Sequence, residues 1–315
     1  WTRRRKLDWY VITLASAIIL LGCGLYLQLA SQEGRLLYRA RNFYGALTVS
    51  RTWDNDMLHS RVELMHGRIV HGVQLEQNRK LATTYYGEKS GAGLAITMSP
   101  RRSAGNMRVG VIGLGTGTLA TYARSGDTYR FYEINPMVVR LAQGERSYFS
   151  FLKDSAGRIE IASGDARLLL EAEARRGEYE NFDVLLVDAF NGDSIPIHLL
   201  TREAMKVYLA HLRGPDSVIA IHISNIAVDL APPILGLAHL YGLKSTVVTT
   251  TVTAGATVSS KWVLLTRGTA LDVPAIRQAS EPVLASTDSG TEVWSDNYSN
   301  LLSLFNYRVF LIRSL

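Results

Sequence analysis

The chain has 315 residues, 47% of them hydrophobic and 20% charged, with 34 Lys and Arg against 28 Asp and Glu for a formal net charge of +6. That is enough for one large or two modest domains, and too apolar and too weakly charged for a disordered tail. One cysteine, Cys23, excludes a disulfide framework and a Cys-cluster zinc site, and a positive excess held partly in an N-terminal run is not the concentrated charge of a dedicated nucleic-acid binder.

Arg3, Arg4, Arg5 and Lys6 precede an uncharged stretch from Trp9 to Ala30. At about 1.5 Å per residue, its roughly 22 residues reach across the ~30 Å hydrocarbon layer of a bilayer. Trp9, Tyr10 and Tyr26 lie near its ends, where amphipathic rings favour the interface. The apolar region of a signal peptide is shorter, about 7–15 residues. Residues 1–31 therefore read as a transmembrane segment with a basic flank. The chain begins with Trp rather than Met, as the C-terminal part of a longer, multi-spanning protein would. The basic flank favours a cytoplasmic N-terminal end and hence an external body, but Arg35, Arg39 and Arg41 after the anchor shrink that asymmetry.

Residues 32–80 read as a small antiparallel β domain. FYGALTVSRTW and MLHSRVELMHGRIVHGVQL alternate apolar and polar side chains and are broken by Asp54-Asn55-Asp56 and by Gly67. From Arg108 the rhythm changes. RVGVIGL, TYRFYEI, RIEIA, FDVLLVDAF and SVIAIHIS alternate with helix-length segments such as LTREAMKVYLAHL, which argues for a parallel sheet covered by helices on both faces. KSTVVTTTV and KWVLLTRG follow with little room for a helix between them and predict a closing antiparallel pair. The fold class expected for residues 81–270 is α/β, a seven-stranded doubly wound sheet of the methyltransferase-like Rossmann type. Residues 271–315 form a tail.

The chemistry begins at Gly113-Leu-Gly115-Thr116-Gly117, directly after the first parallel strand. Glycines permit a tight strand-to-helix turn and close approach of the backbone to a ligand. Glu133 ends the next strand, where a carboxylate can take two hydrogen bonds from ribose hydroxyls. The third strand ends in Gly164-Asp165-Ala166, a place for an adenine amino group to donate to. Glycine turn, ribose acid and adenine acid in chain order favour S-adenosylmethionine (SAM) or a close relative over NAD. At the fourth strand end, Asp188 should face the same crevice. A carboxylate there can hold an amine and accept its proton as it attacks an electrophilic carbon. The helix expected to start near Thr201 is too far on for Asp188 to cap.

The β-hairpin region, GLGTGT, FYEIN, SGDA, VDAF…P and the LLTREAM helix together resemble the spermidine/spermine synthases, the polyamine aminopropyltransferases. The likeness runs over roughly residues 43 to 300 and is strongest to membrane-fused bacterial members. The resemblance implies transfer of an aminopropyl group from decarboxylated SAM to a small amine such as putrescine, leaving methylthioadenosine. It implies that Gln74 touches the nucleoside, that Tyr86 of Tyr86-Gly87-Glu88 positions the amine with Glu88 beside it, and that Asp188 is the first Asp of an Asp-x-x-Asp gate and accepts the proton. The second gate residue falls on Asn191 by spacing, or on Asp193 if two residues are inserted before Pro196. No metal is implied, and a homodimer is left open. The donor is made in the cytosol, which places the catalytic domain on the cytoplasmic side of a bacterial inner membrane. One departure stands out. The family's glycine turn carries an Asp that neutralises the donor's primary ammonium, and here Thr116 takes its place. The change is expected to relax discrimination against intact SAM, a methyl donor.

His59, His66 and His71 need not converge and have no acid at ligand spacing, so they do not predict a metal site. His222 and Asn225 end the fifth strand, where they either floor the pocket or His222 is simply a satisfied buried histidine. Trp294-Ser-Asp296-Asn-Tyr298 either lids the crevice or packs on the body, Tyr298 being its candidate substrate contact.

Overall fold

The computed structural model describes residues 2–30, 35–53, 60–67, 69–144, 147–189, 196–225, 228–251, 257–281 and 293–305. Helix α1 (Thr2–Ala30) contains the apolar window Trp9–Tyr26, of mean hydropathy 1.8, in which no residue is buried. A core helix would have its apolar face covered by neighbouring elements. This helix does not, and it is long and apolar enough to cross a membrane.

Four strands follow as an antiparallel meander in the order β1-β2-β3-β4: β1 (Arg35–Asn42), β2 (Gly45–Trp53), β3 (Ser60–His66) and β4 (Ile69–Leu75). Alternation decides the buried face, which carries Leu47 and Val49 of β2 and Val62 and Leu64 of β3. The sequence reading starts the first strand at Phe43, whereas the chain turns there. Asn42 accepts the Tyr44 backbone N–H on its Oδ1 at 3.0 Å, and the residues before it form β1.

The second sheet runs β12-β10-β11-β9-β8-β5-β6-β7. Its parallel part comprises β5 (Arg108–Ile112), β6 (Thr128–Glu133), β7 (Arg158–Ser163), β8 (Val184–Val187) and β9 (Val218–His222). The pair β10 (Lys244–Thr250) and β11 (Ser260–Thr266) closes it antiparallel, with β11 against β9. This is the methyltransferase-like arrangement expected. An eighth strand, the two-residue β12 (Ser280–Glu281), adds to the edge beyond the seven.

Helices cover both faces. On one lie α2 (Gly91–Thr97), α3 (Pro136–Ala142), α7 (Pro274–Ala279) and the small sheet, so Leu47, Val49, Val62 and Leu64 share a hydrophobic cluster with Val109, Val111 and Phe131. On the other, α4 (Ala166–Arg175), α5 (Arg202–Ala210) and α6 (Ala231–Leu240) bury Leu170, Met205 and Ile234 against Leu185, Ile219 and Ile221. Strand order reverses at β5, which has β6 on one side and β8 on the other. In such sheets the ligand crevice opens at the carboxyl ends of the strands flanking that switch point.

Candidate functional site

A cleft of about 290 Å³ opens at this point, lined by the ends of β5, β6, β7 and β8 and by the β1–β2 turn. The turn after β5 depends on its glycines. Gly113 (φ +98°), Gly115 (φ +53°) and Gly117 (φ +84°) are left-handed, a region that side chains disfavour. A Cβ on Gly113 would collide with the Asp188 carbonyl oxygen, and one on Gly115 would lie 2.9 Å from that of His71. The glycines thus bring the end of β8 and strand β4 against the turn.

Glu133 staples this turn to β6. Its Oε2 accepts the Leu114 N–H at 3.0 Å and its Oε1 the Asn135 N–H at 2.7 Å. Burial raises its pKa, while the backbone N–H groups of Asn135, Leu114 and Ile134 pull it back down. Each carboxylate oxygen has a second lone pair for a ligand hydroxyl. The side chain of Asn135 caps α3 through the Met137 N–H and accepts from Asn42 Nδ2 at 2.7 Å, tying the β1–β2 turn over this corner. Asp165 caps α4 through the Leu168 N–H at 3.0 Å, and its other oxygen lies 3.0 Å from His198 Nε2.

Asp188 is an enclosed acid of the cleft, with its side chain 3% exposed. Tyr86 donates its phenol hydrogen to Oδ2, and His222 Nδ1 lies 2.7 Å from Oδ1. Burial first, and then the charge of Asp188, push the Tyr85 and Tyr86 phenols well above their usual range. Tyr86 is therefore a donor to Asp188 and not a base. It is seated by the Tyr122 hydroxyl, which donates to its carbonyl at 2.5 Å. His71, also on the wall, is held at about 4 by burial and by the neighbouring His66, against the pull of Asp188, so it is neutral at physiological pH.

Of the residues singled out in the sequence, Tyr86, Gly113, Gly115, Glu133, Asp165, Ala166 and Asp188 line the cleft. Others lie elsewhere. Gln74 is a clamp between β4 and the main body. It donates to Arg79 O at 2.9 Å and Ser150 Oγ at 3.0 Å, and accepts the Ser150 N–H at 2.9 Å. Thr116 is 1% exposed, pairs with the Thr118 hydroxyl at 2.9 Å, and is pressed on Gly72, where a Cβ would strike it. It faces β4 and not the cleft, so the expected change in donor-tail recognition has no place there. Gly117 packs on Leu152, and Glu88 lines a separate recess with Lys80 and Lys89.

The described part of the tail packs on the body instead of forming a lid. Asp296 receives two hydrogen bonds from Arg167, at 2.6 and 2.5 Å, and one from Thr201, while Tyr298 bridges back to Ser295. Asn191 and Asp193 lie outside the described residues. Sequence reasoning passed over His71 and Tyr85 as cleft residues and left His222 open. The Tyr85-Tyr86 doublet was the available signal for one of them. The rings of His66 and His71 do meet, 5.2 Å apart, but no cluster of three metal-ligating side chains occurs among the described residues.

No family model matches the chain. A polyamine aminopropyltransferase from Vibrio vulnificus (strain CMCP6) is 34% identical over 117 residues, 36% of this chain and 34% of that protein, so the match spans about a third of the relative's length. The crystal structure of a probable spermidine synthase from Corynebacterium glutamicum ATCC 13032 superposes with a TM-score of 0.60 at 15% identity, covering 84% of this chain and 98% of that one. Over the matched residues the sequence is similar to that polyamine aminopropyltransferase, and the chain shares the fold of the probable spermidine synthase.

Proposed function

We propose that the chain is a membrane-anchored transferase that moves an aminopropyl group from decarboxylated SAM to a small amine such as putrescine. The observation that carries this reading is the enclosed Asp188 carboxylate. It is oriented by Tyr86 at the strand end beside the glycine turn, in one cleft with Glu133 and Asp165.

Glu133 would take the ribose hydroxyls and Asp165 the adenine amino group, with the backbone at Gly113 and Gly115 close to the donor. The acceptor's neutral nitrogen attacks the methylene carbon next to the sulfonium. The carbon–sulfur bond breaks with its electron pair going to sulfur, methylthioadenosine leaves, and the new ammonium gives one proton to Asp188. Sulfur is already a good leaving group. The protein's work is therefore alignment and proton acceptance, for which a carboxylate fixed through both oxygens is suited.

The uncovered helix α1 supports an anchor, and a cytosolic donor supports a cytoplasmic catalytic domain. Product analysis with each donor tests the reaction. Methylthioadenosine from decarboxylated SAM and putrescine is expected. S-adenosylhomocysteine from intact SAM would replace this reading with methyl transfer, and binding without turnover would make the domain a sensor.

A further inference from the structure

Asp188 poses a physical problem. A carboxylate 3% exposed must be neutralised, ion-paired or fully hydrogen-bonded. Among the described residues no Lys or Arg lies within ion-pair distance of it, and its side chain meets Tyr86 at Oδ2 and His222 at Oδ1. Tyr86 alone would leave the carboxylate free to rotate about its side-chain bond and Oδ1 without this donor.

His222 is built to supply that second donor. It ends β9, is 5% exposed, and lies between two rings, with Tyr85 stacked at 4.6 Å and 28° and Trp262 at 4.5 Å and 19°. Its far nitrogen, Nε2, lies 2.8 Å from Ser224 Oγ, and that oxygen accepts the Lys261 backbone N–H at 2.8 Å. A carboxylate can only accept, so Asp188 calls for the imidazole proton on Nδ1, and the Ser224 hydroxyl has a hydrogen to give to the Nε2 that this leaves bare. Hydrogen bonds thus run from the Lys261 backbone through Ser224 and His222 to the cleft. An imidazole kept only to fill space would not need both nitrogens aligned on this path, since Trp262 and Tyr85 already fill the volume around it.

We propose that His222 is a positioning residue: an Nδ1–H donor, held in that tautomer by Ser224, that fixes the plane of the Asp188 carboxylate for proton acceptance. This rests on Asp188 being the proton acceptor proposed above. The other titratable groups around the pair are Tyr85, Tyr86 and His71. Both phenols stay protonated, and His71 stays neutral above about pH 4.

The test compares His222→Leu, which removes the donor, with His222→Asn, whose amide nitrogen can replace Nδ1, and with Ser224→Ala, which frees the tautomer. In His222→Leu, kcat should fall by about 10- to 100-fold, the loss of one charge-assisted hydrogen bond, with the Kd for methylthioadenosine unchanged. The acid limb of the pH–rate profile should move to higher pH, because the carboxylate has lost a bond that favours its charged form. His222→Asn should recover most of kcat and return the acid limb towards wild type. Ser224→Ala should show a smaller fall with a limb shifted in the same direction. A purely structural role would lower kcat and nucleoside affinity together, leave the acid limb in place, and gain nothing from Asn.

A wild type that turns over neither donor refutes the reaction and not the pairing. The pairing is read without turnover from the ¹⁵N shifts of His222. The Nδ1–H tautomer is expected in wild type and a redistributed tautomer in Asp188→Ala. An Nε2–H tautomer in wild type overturns the proposal.

Discussion

Replacing Glu133 by Gln keeps the shape of the side chain and removes one acceptor. In the structure both oxygens are engaged: Oε2 with the Leu114 N–H at 3.0 Å and Oε1 with the Asn135 N–H at 2.7 Å. Gln presents one carbonyl oxygen, so its NH2 must face the other backbone N–H, which is left without an acceptor. A lost charge-assisted bond with an orphaned buried donor costs about 1–3 kcal/mol. Burial already disfavours the charged carboxylate, and a neutral amide recovers part of that cost, which favours the lower half of the range. Glu133→Gln is therefore expected to lower the Tm of the ligand-free protein by about 2–8 °C, at roughly 2–4 °C per kcal/mol for a domain of this size. If the same carboxylate takes the ribose hydroxyls, the Kd for methylthioadenosine should rise by about 5- to 100-fold. Thermal melting and calorimetry read the two effects separately. An unchanged Tm would show that the carboxylate does not hold the glycine turn. A lowered Tm with unchanged nucleoside affinity would remove Glu133 from the ribose site.

Thr116→Asp puts a carboxylate against Gly72 in a 1% exposed site. It should destabilise the protein by about 2 kcal/mol or more without moving donor preference, and a shift towards decarboxylated SAM in the folded variant would refute the placement. Asp296→Ala breaks the paired bonds to Arg167 and should cost about 1–3 kcal/mol in denaturant unfolding while leaving nucleoside binding intact; altered binding would restore a lid role for the tail. His71 titrates at about 4 in the folded chain against 6.5 unfolded, so the unfolded state binds more protons between these values. The stability from burying it neutral is present above about pH 6.5 and lost as pH falls towards 4. His71→Gln should flatten the dependence in that window, and an unchanged slope there would show His71 is not buried uncharged. In inverted membrane vesicles the catalytic domain should be open to protease, and a shielded domain would place it on the other side.

How far the sequence reaches depends on whether a signal is local. Apolar periodicity and strand-end punctuation are local, so the parallel strands, the closing antiparallel pair, the apolar helix and the helix start at Thr201 are all legible in the sequence. The glycine turn, Glu133, Asp165 and Asp188 were legible as candidates because topology alone sends strand ends to one crevice. Strand β1 was not, because Arg35, Arg39 and Arg41 and the irregularity between Leu36 and Tyr38 blur its alternation, and only pairing with β2 defines it. Spacing placed Gln74 and Thr116 near the right turn, but could not say which way a side chain points. Contact with Ser150 draws one away, and contact with Gly72 draws the other. His222 was visible as a histidine at a strand end and ambiguous as such. Its role depends on Asp188, Tyr85, Trp262 and Ser224, of which three are far from it in sequence, and only the folded chain brings those partners around one ring.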